Sequence, residues 1–259
     1  MNLPFAKYHG TGNDFILIDN RNKKFELTQE QIEKLCHRRY GIGADGLMFL
    51  EKENGYDFRM VYYNADGKEG SMCGNGGRCM VQFAHDCGII KGEYHFIAVD
   101  GPHDATIETN QSIRLKMKDV PEIESHTTFD FLNTGSPHVV KQVSEITSLD
   151  VVAEGKIIRN SPKYLADGVN VNFVQVVNDK RIFVRTYERG VEDETYSCGT
   201  GVTASALVHA HNERGFNHVE VQTNGGMLFV EYDRTGETSF KNIWLAGPAV
   251  KVFDGIALL

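Results

Sequence analysis

The sequence predicts an α+β protein of two homologous halves. Three observations lead there. A Cys-Gly-X-Gly opening occurs twice, as CGNGGRC from Cys73 and as CGTGVTA from Cys198, and the cysteines stand 198 less 73, or 125, positions apart. The same offset aligns Gly10 with Gly135, Gly43 with Gly168, Glu69 with Glu194 and Gly101 with Gly226. In both copies a strand-like run, FRMVYYN or FVRTYER, precedes the cysteine and a helical run follows it. Single glycine matches are common, but one offset holding from Gly10 to Gly226 indicates a duplicated unit. Strands punctuated by one buried helix make each half α+β.

The elements follow in order. Residues 5–8 and 15–19 read as strands, and the GTGNDF segment between them lacks the third glycine and the following helix of a dinucleotide loop, so it reads as a turn. Thr28 with Gln31 three positions on is a capping box opening a helix, with Gly41 as its stop. Strands over 46–51 and 58–64 lead to Cys73. Beyond Gly74, the apolar positions Met80, Val81, Phe83 and Ala84 have helical spacing, and Gly88 supplies the stop. Val202, Ala206, Leu207 and Ala210 repeat that spacing after Cys198, with Gly215 as the stop. Strands over 94–99 and 112–117 close the first copy, and strands over 218–222 and 227–232 close the second.

Composition narrows the function classes. A chain of 259 residues, 41% hydrophobic and 24% charged, is ordinary folded protein, long enough for one large domain or two smaller ones. Its 35 acidic against 27 basic residues give a net charge of -8, the wrong sign for a nucleic-acid partner. No run approaches the roughly 18 apolar residues of a membrane span, and the start lacks the pattern of a signal peptide, so a cytoplasmic protein with no membrane partner is expected. Five cysteines without a regular framework suggest thiols in a reducing compartment.

The chemistry follows from where two of those thiols stand. Cys73 and Cys198 each sit where a strand hands over to a helix, a place where unpaired backbone N–H groups and the helix dipole stabilise a thiolate. Gly74, Gly76, Gly199 and Gly201 leave those amides uncovered, making two anion sites able to hold a carboxylate. If the halves face each other across a cleft, one thiolate removes a proton from a substrate carbon while the opposite thiol delivers one. That inverts a stereocentre, as in a two-base racemase or epimerase, with the helix termini stabilising the carbanion and water excluded. Cys36, Cys79 and Cys87 lie in helical runs and read as packing. Positions 73, 79 and 87 offer no C-x2-C pairing and His85 is poorly placed, so no metal is expected.

Six ordered segments carry a family resemblance: HGTGNDF at 9–15, YNADGKE at 63–69, CGNGGRC at 73–79, GSPH at 135–138, YERG at 187–190 and CGTG at 198–201. Together the chain resembles the diaminopimelate epimerase family. That resemblance implies two pseudo-symmetric domains, each a mostly antiparallel sheet or barrel wrapped around a central helix. The first would take in 1–120 with a C-terminal strand of about 249–259, the second 121–248, and the active site would lie in the cleft between them. It implies cofactor-independent conversion of LL-diaminopimelate to the meso form, for lysine and peptidoglycan precursors, by a homodimer that uses Cys73 and Cys198 as the acid/base pair. It further implies Asn13, Asn64, Asn170 and Arg189 at the distal end of the substrate and Glu188 near the reacting amino group. The backbone of Gly74, Asn75, Gly76, Gly199 and Thr200 would bind the reacting carboxylate, with His138 beside the thiols.

The chain departs from the family pattern at Ser136, where Asn is usual, at Gly46, where some members carry Gln, and over 190–198, which is a residue longer than usual. A proline or hydroxyproline racemase of the same superfamily is the nearest alternative; such enzymes usually carry His where this chain has Asn75. From other classes, a thiol redox or sensor protein would also use low-pKa cysteines, and a non-catalytic binding protein would dispense with both.

Overall fold

The computed structural model describes residues 2–70, 72–209 and 214–259. The chain divides into two compact units: the first runs to Leu115 and takes in Gly247–Leu259, and the second is Lys116–Ala246.

In the first unit the order is β1 (Asn2–Gly10), β2 (Asn13–Asp19), α1 (Gln29–Cys36), β3 (Gly46–Glu51), β4 (Phe58–Asn64), α2 (Gly74–Asp86), β5 (Glu93–Ala98), β6 (Gly101–Ile107) and β7 (Ile113–Lys116). The strands pair in that sequence, parallel at β2/β3 and β4/β5 and antiparallel elsewhere. The last strand of the chain, Val250–Leu258, runs antiparallel along β1 with Leu3 opposite Ala257. Thr11 and Gly12, at φ 49° and 85°, form the two-residue turn joining β1 to β2, which is what the GTGNDF reading requires.

The strands surround α2, which lies against β1, β2, β3, β4 and β6. Gly74 through Val81, then Phe83 and Ala84, are all buried, so almost the whole helix is core. Small residues let it sit so deep: a Cβ on Gly77 would come within 2.7 Å of Met72 Cε, and one on Gly10 within 3.1 Å of the Asn75 carbonyl oxygen. Fully buried side chains such as Phe15 and Met80 each contribute roughly 1.5–3 kcal/mol. Gly88, at φ 92°, donates its N–H to the His85 carbonyl and ends α2 as expected.

On the other face, Ile32, Leu35 and Cys36 of α1 pack with Leu3, Ile16, Ile18, Leu47 and Phe49. The capping box is present, with Gln31 N donating to Thr28 Oγ1 at 3.3 Å and Thr28 N to Gln31 Oε1 at 2.9 Å. Gly41 does not mark the end of α1, which stops at Cys36. The chain doubles back, and Ile42 and Gly43 donate to the Leu35 carbonyl and Ala44 to that of Cys36. Gly41 is needed for this return, because a Cβ there would overlap the Lys34 carbonyl oxygen.

The second unit repeats the plan: β8 (Glu124–Ser125), β9 (Asp130–Asn133), β10 (Pro137–Gln142), α3 (Val151–Arg159), β11 (Asn170–Asn178), β12 (Arg181–Glu188), β13 (Asp193–Thr195), α4 (Gly199–His209), β14 (Gly215–Thr223), β15 (Gly226–Arg234) and β16 (Phe240–Gly247). Parallel pairs recur at β10/β11 and β12/β14. α4 lies against β9, β10, β11, β12, β14 and β15. The β5/β6 and β14/β15 hairpins share one register, with Ala98 opposite Gly101 in the first and Thr223 opposite Gly226 in the second, so each position is carried onto its counterpart by the 125-residue offset. Each unit is a mostly antiparallel sheet wrapped around a central helix.

Gly215 is not a helix stop: it opens β14 at φ 96°. Ala210, assigned to the helix from its spacing, lies outside the described residues. α3, which the sequence reading did not anticipate, is capped by Asp150, whose Oδ1 accepts from Ala153 N at 3.0 Å. Among the described residues, no helix is long and apolar enough to cross a membrane.

Candidate active site

Each central helix begins one residue after a cysteine. Cys73 holds the extended backbone of an N-cap, φ -106° and ψ 127°, and its side chain makes no capping bond to α2. Its carbonyl accepts the first helical hydrogen bond, from Gly77 N at 2.7 Å. In the second unit the Cys198 carbonyl accepts from Val202 N at 2.8 Å. An α-helix leaves its first amides without intrahelical partners, and here those amides belong to Gly74–Asn75–Gly76 and Gly199–Thr200–Gly201. Both sulfurs therefore stand at the positive end of a helix dipole.

Around Cys73 the first unit assembles a hydrogen-bonded chain. Cys73 Sγ donates to Asn13 Oδ1 at 3.5 Å, and Asn75 Nδ2 donates to the same oxygen at 3.4 Å. Asn13 Nδ2 donates to Asp45 Oδ2 at 2.6 Å. Asn75 Oδ1 accepts from Arg78 Nη2 at 2.9 Å. Arg78 donates only and the Asp45 carboxylate accepts only, so both amides have fixed orientations. Asn64 closes the turn after β4, where its N–H donates to the Lys68 carbonyl and its carbonyl accepts from Gly67 N, both at 2.9 Å. Gly46 lies opposite it in β3, and any Cβ there would overlap the Tyr62 ring. A glutamine in place of Gly46 has no room beside Tyr62.

Around Cys198 the second unit places Thr200, whose Oγ1 lies 3.5 Å from the sulfur. Thr134 Oγ1 donates to the Thr200 carbonyl at 2.8 Å, tying the turn that carries Ser136 to the start of α4. His138 on β10 is fully buried; its Nδ1 lies 3.0 Å from Asn172 Nδ2, and its Nε2 has no partner among the described residues. The Asn172 orientation is set by the Val139 carbonyl, which can only accept and takes the Nδ2–H at 3.0 Å, so Nδ2 is the donor toward Nδ1 and His138 carries its proton on Nε2. Burial first, and then the nearby Arg189 charge, hold the His138 pKa down to about 3. A Cβ on Gly201 would overlap Asn172 Oδ1 and stand 3.4 Å from His138 Cε1, so this glycine lets the start of α4 close on the pair.

Asn170 and Arg189 come together at the ends of β11 and β12. Asn170 Oδ1 accepts from Arg189 N at 2.9 Å and its Nδ2 donates to the Pro137 carbonyl at 3.3 Å, while Arg189 Nη1 donates to the Asp167 carbonyl at 2.9 Å. Glu188 Oε2 accepts from Thr195 Oγ1 at 2.9 Å. The 125-residue offset carries Asn13 onto His138, Asn64 onto Arg189 and Asn75 onto Thr200, so the two units build their clusters from equivalent positions with different side chains.

None of the five cysteines is in a disulfide. Burial pushes Cys36 and Cys79 up to about 12 and Cys87 to about 11, as suits packing residues. Among the described residues, no group of three or more His, Cys, Asp or Glu side chains is placed to hold a metal ion. Sequence reasoning missed Asp45, Arg78, Thr134 and Asn172. Arg78 left a signal, a lone cation in an otherwise small and apolar helical run, as did Asn172, a polar residue in the apolar strand VNVNF.

Comparison with known proteins fixes the class. In fold the chain is similar to a Bacillus anthracis phenazine biosynthesis protein, at TM-score 0.78 and 15% identity with both chains covered fully. It is also similar to a hydroxyproline epimerase from Agrobacterium vitis, at TM-score 0.70 and 15% identity over 99% of this chain and 91% of the other. A family model described as diaminopimelate epimerase matches residues 5–121 and 131–252. This is an isomerase of the epimerase type on a two-domain fold.

Sequence relatives narrow the class to one family. The chain is 50% identical to a diaminopimelate epimerase of Flavobacterium psychrophilum over 97% of its own length and 99% of the relative's. It is 42% identical to that of Chlorobaculum tepidum, covering 96% and 99%. The chain belongs to the diaminopimelate epimerase family.

Proposed function

We propose that this chain interconverts LL- and meso-diaminopimelate by a two-thiol mechanism, with Cys73 and Cys198 as acid and base. The observation that carries it is the repeated placement of one cysteine immediately before the central helix of each unit. In the forward direction one thiolate takes the Cα proton and becomes a thiol. The electron pair left on Cα delocalises into the carboxylate, and the opposite thiol returns a proton to the other face and becomes a thiolate. Charge and protons balance over the turnover, which leaves thiol and thiolate exchanged; proton exchange with solvent restores the starting pair, and no pyridoxal phosphate is needed. The developing negative charge meets the first amides of α2 and α4, dipoles already oriented before the proton moves.

The distal end of the substrate, itself an amino acid, is assigned to Asn13, Asn64, Asn170 and the Arg189 guanidinium, with Ser136 offering a hydroxyl where relatives offer an amide. Glu188 is assigned to the reacting ammonium group, and His138 to a supporting place beside the thiols. The same reading places the protein in the cytoplasm as a homodimer supplying lysine and peptidoglycan precursors.

The test is an epimerisation assay on the purified, reduced protein with LL-diaminopimelate and no added cofactor, with proline and trans-4-hydroxyproline in parallel. Conversion of diaminopimelate alone, lost in Cys73→Ser and in Cys198→Ser, is expected. Turnover of the proline substrates instead, or full activity in both serine variants, would overturn the proposal.

A further inference from the structure

Arg78 is fully buried in the second turn of α2, and its hydrogen-bond partners are neutral: the Gly74 carbonyl oxygen at 3.3 Å and Asn75 Oδ1 at 2.9 Å. Among the described residues its Nε has no partner. A buried cation without an anion is costly, and structures retain one where an anion comes to it. The carboxylates on the strands packed against α2 are committed elsewhere. Asp14 is held by Lys7 and Arg38, Asp19 by Arg21, Glu51 by Lys23 and Asp104 by His95, while Arg59 of β4 faces Glu53. At the far end of α2, Asp86 accepts from Tyr8 and Gln82, and His85 pairs with Tyr94. Of the two thiols whose charge acts on Arg78, Cys79 is kept neutral by burial, which leaves Cys73. The repeat supplies the contrast: the position 125 residues on is Thr203, whose hydroxyl returns to the Gly199 carbonyl at 3.0 Å.

We infer that Arg78 is a positioning charge for Cys73, biasing that thiol toward the thiolate and fixing, through Asn75, the amide that faces it. The inference deepens the two-thiol reading and rests on it. The two effects oppose each other in part. The Asn13 oxygen aimed at Sγ favours the protonated thiol, whereas a cation favours the thiolate; a full charge in a buried setting outweighs a weak 3.5 Å sulfur hydrogen bond. Burial lowers Arg78 only to about 10, so it remains charged at neutral pH.

The experiment follows iodoacetamide alkylation of one thiol against pH by mass spectrometry. Cys73 is read in a Cys198→Ala chain and Cys198 in a Cys73→Ala chain, each with Arg78, Arg78→Lys or Arg78→Gln. Expected is a rise in the Cys73 pKa of about one unit or more in the Gln variant, roughly tenfold slower alkylation at neutral pH, with recovery in the Lys variant and no movement at Cys198. Equal Cys73 profiles with Arg78 and Gln, a Lys variant no better than Gln, or a matching shift at Cys198 would each overturn the inference. Where neither variant folds, the two chains retaining Arg78 decide: Cys73 titrating below Cys198 supports it, and equal values or the reverse order refute it. Full epimerisation after alkylation of Cys73 would instead refute the two-thiol reading, whatever the profiles show.

Discussion

His138 Nδ1 accepts a hydrogen bond from Asn172 Nδ2 at 3.0 Å, inside the second unit where neither side chain reaches solvent. The pair fixes the imidazole as the neutral Nε2–H tautomer. Protonating Nδ1 would set two donors against each other in a buried site.

The folded chain therefore refuses a proton that the unfolded chain accepts near pH 6.5. With the folded pKa lowered to about 3, the stability from a neutral His138 is fully present above pH 6.5 and is lost as pH falls from there toward 3. Native carboxylates such as Asp14, brought to about 2 by Arg38 and Lys7 against the opposing effect of burial, lose their contribution only below about pH 4. Urea unfolding between pH 7 and 5 isolates the histidine. It should show a loss of about 2 kcal/mol at pH 5 that is flattened in His138→Asn. An unchanged slope in the variant would assign the loss elsewhere.

Two helix-start glycines should respond differently to alanine. At Gly201 the new Cβ runs into Asn172 Oδ1, held by bonds to Thr186 and, across its amide, to His138, so overpacking should cost about 1–3 kcal/mol and depress activity. At Gly76 it meets the terminal methyl of Met48, which can swing aside, and the gain in helix propensity offsets part of the cost. Thermal unfolding should rank Gly201→Ala well below Gly76→Ala; the opposite order would contradict the packing described for α4.

Thiol labelling separates function from packing. At neutral pH iodoacetamide should reach half-buried Cys73 first and spare Cys36, Cys79 and Cys87, whose thiols are raised to between about 11 and about 12. Peptide mapping of the folded protein checks this, and early labelling at Cys79 would show that the core around α2 opens readily.

Thr28→Ala removes one half of the capping box of α1, far from either thiol in chain position. Loss of stability near 1 kcal/mol with kcat and KM unchanged is expected from denaturant titration and steady-state kinetics. A kinetic effect would tie α1 to the chemistry.

The parts legible in the sequence were those written in local or repeated signals. The 125-residue offset, the Thr28–Gln31 box and the apolar runs that became β3 and β4 needed no third dimension. α3 was missed because Gly155 interrupts its helical run; a Cβ there would overlap Tyr187, so the glycine serves the packing of helix on sheet. β6 was missed because its GPHD start carries a proline and two polar residues. Gly41 and Gly215 were misread as helix stops because a glycine's role depends on which backbone approaches it. Arg78, Asp45 and Asn172 have meaning only through the side chains they orient, and those partners are distant in sequence or one turn along a helix.

The two-thiol claim is tested most directly by proton NMR of LL-diaminopimelate turned over in heavy water at low conversion. Removal by one thiol and delivery by another predicts that the first meso product carries solvent deuterium at the inverted carbon while the remaining LL substrate keeps its proton. Deuterium entering the LL pool as fast as it enters product would contradict the account, because one group would then be both taking the proton and returning it.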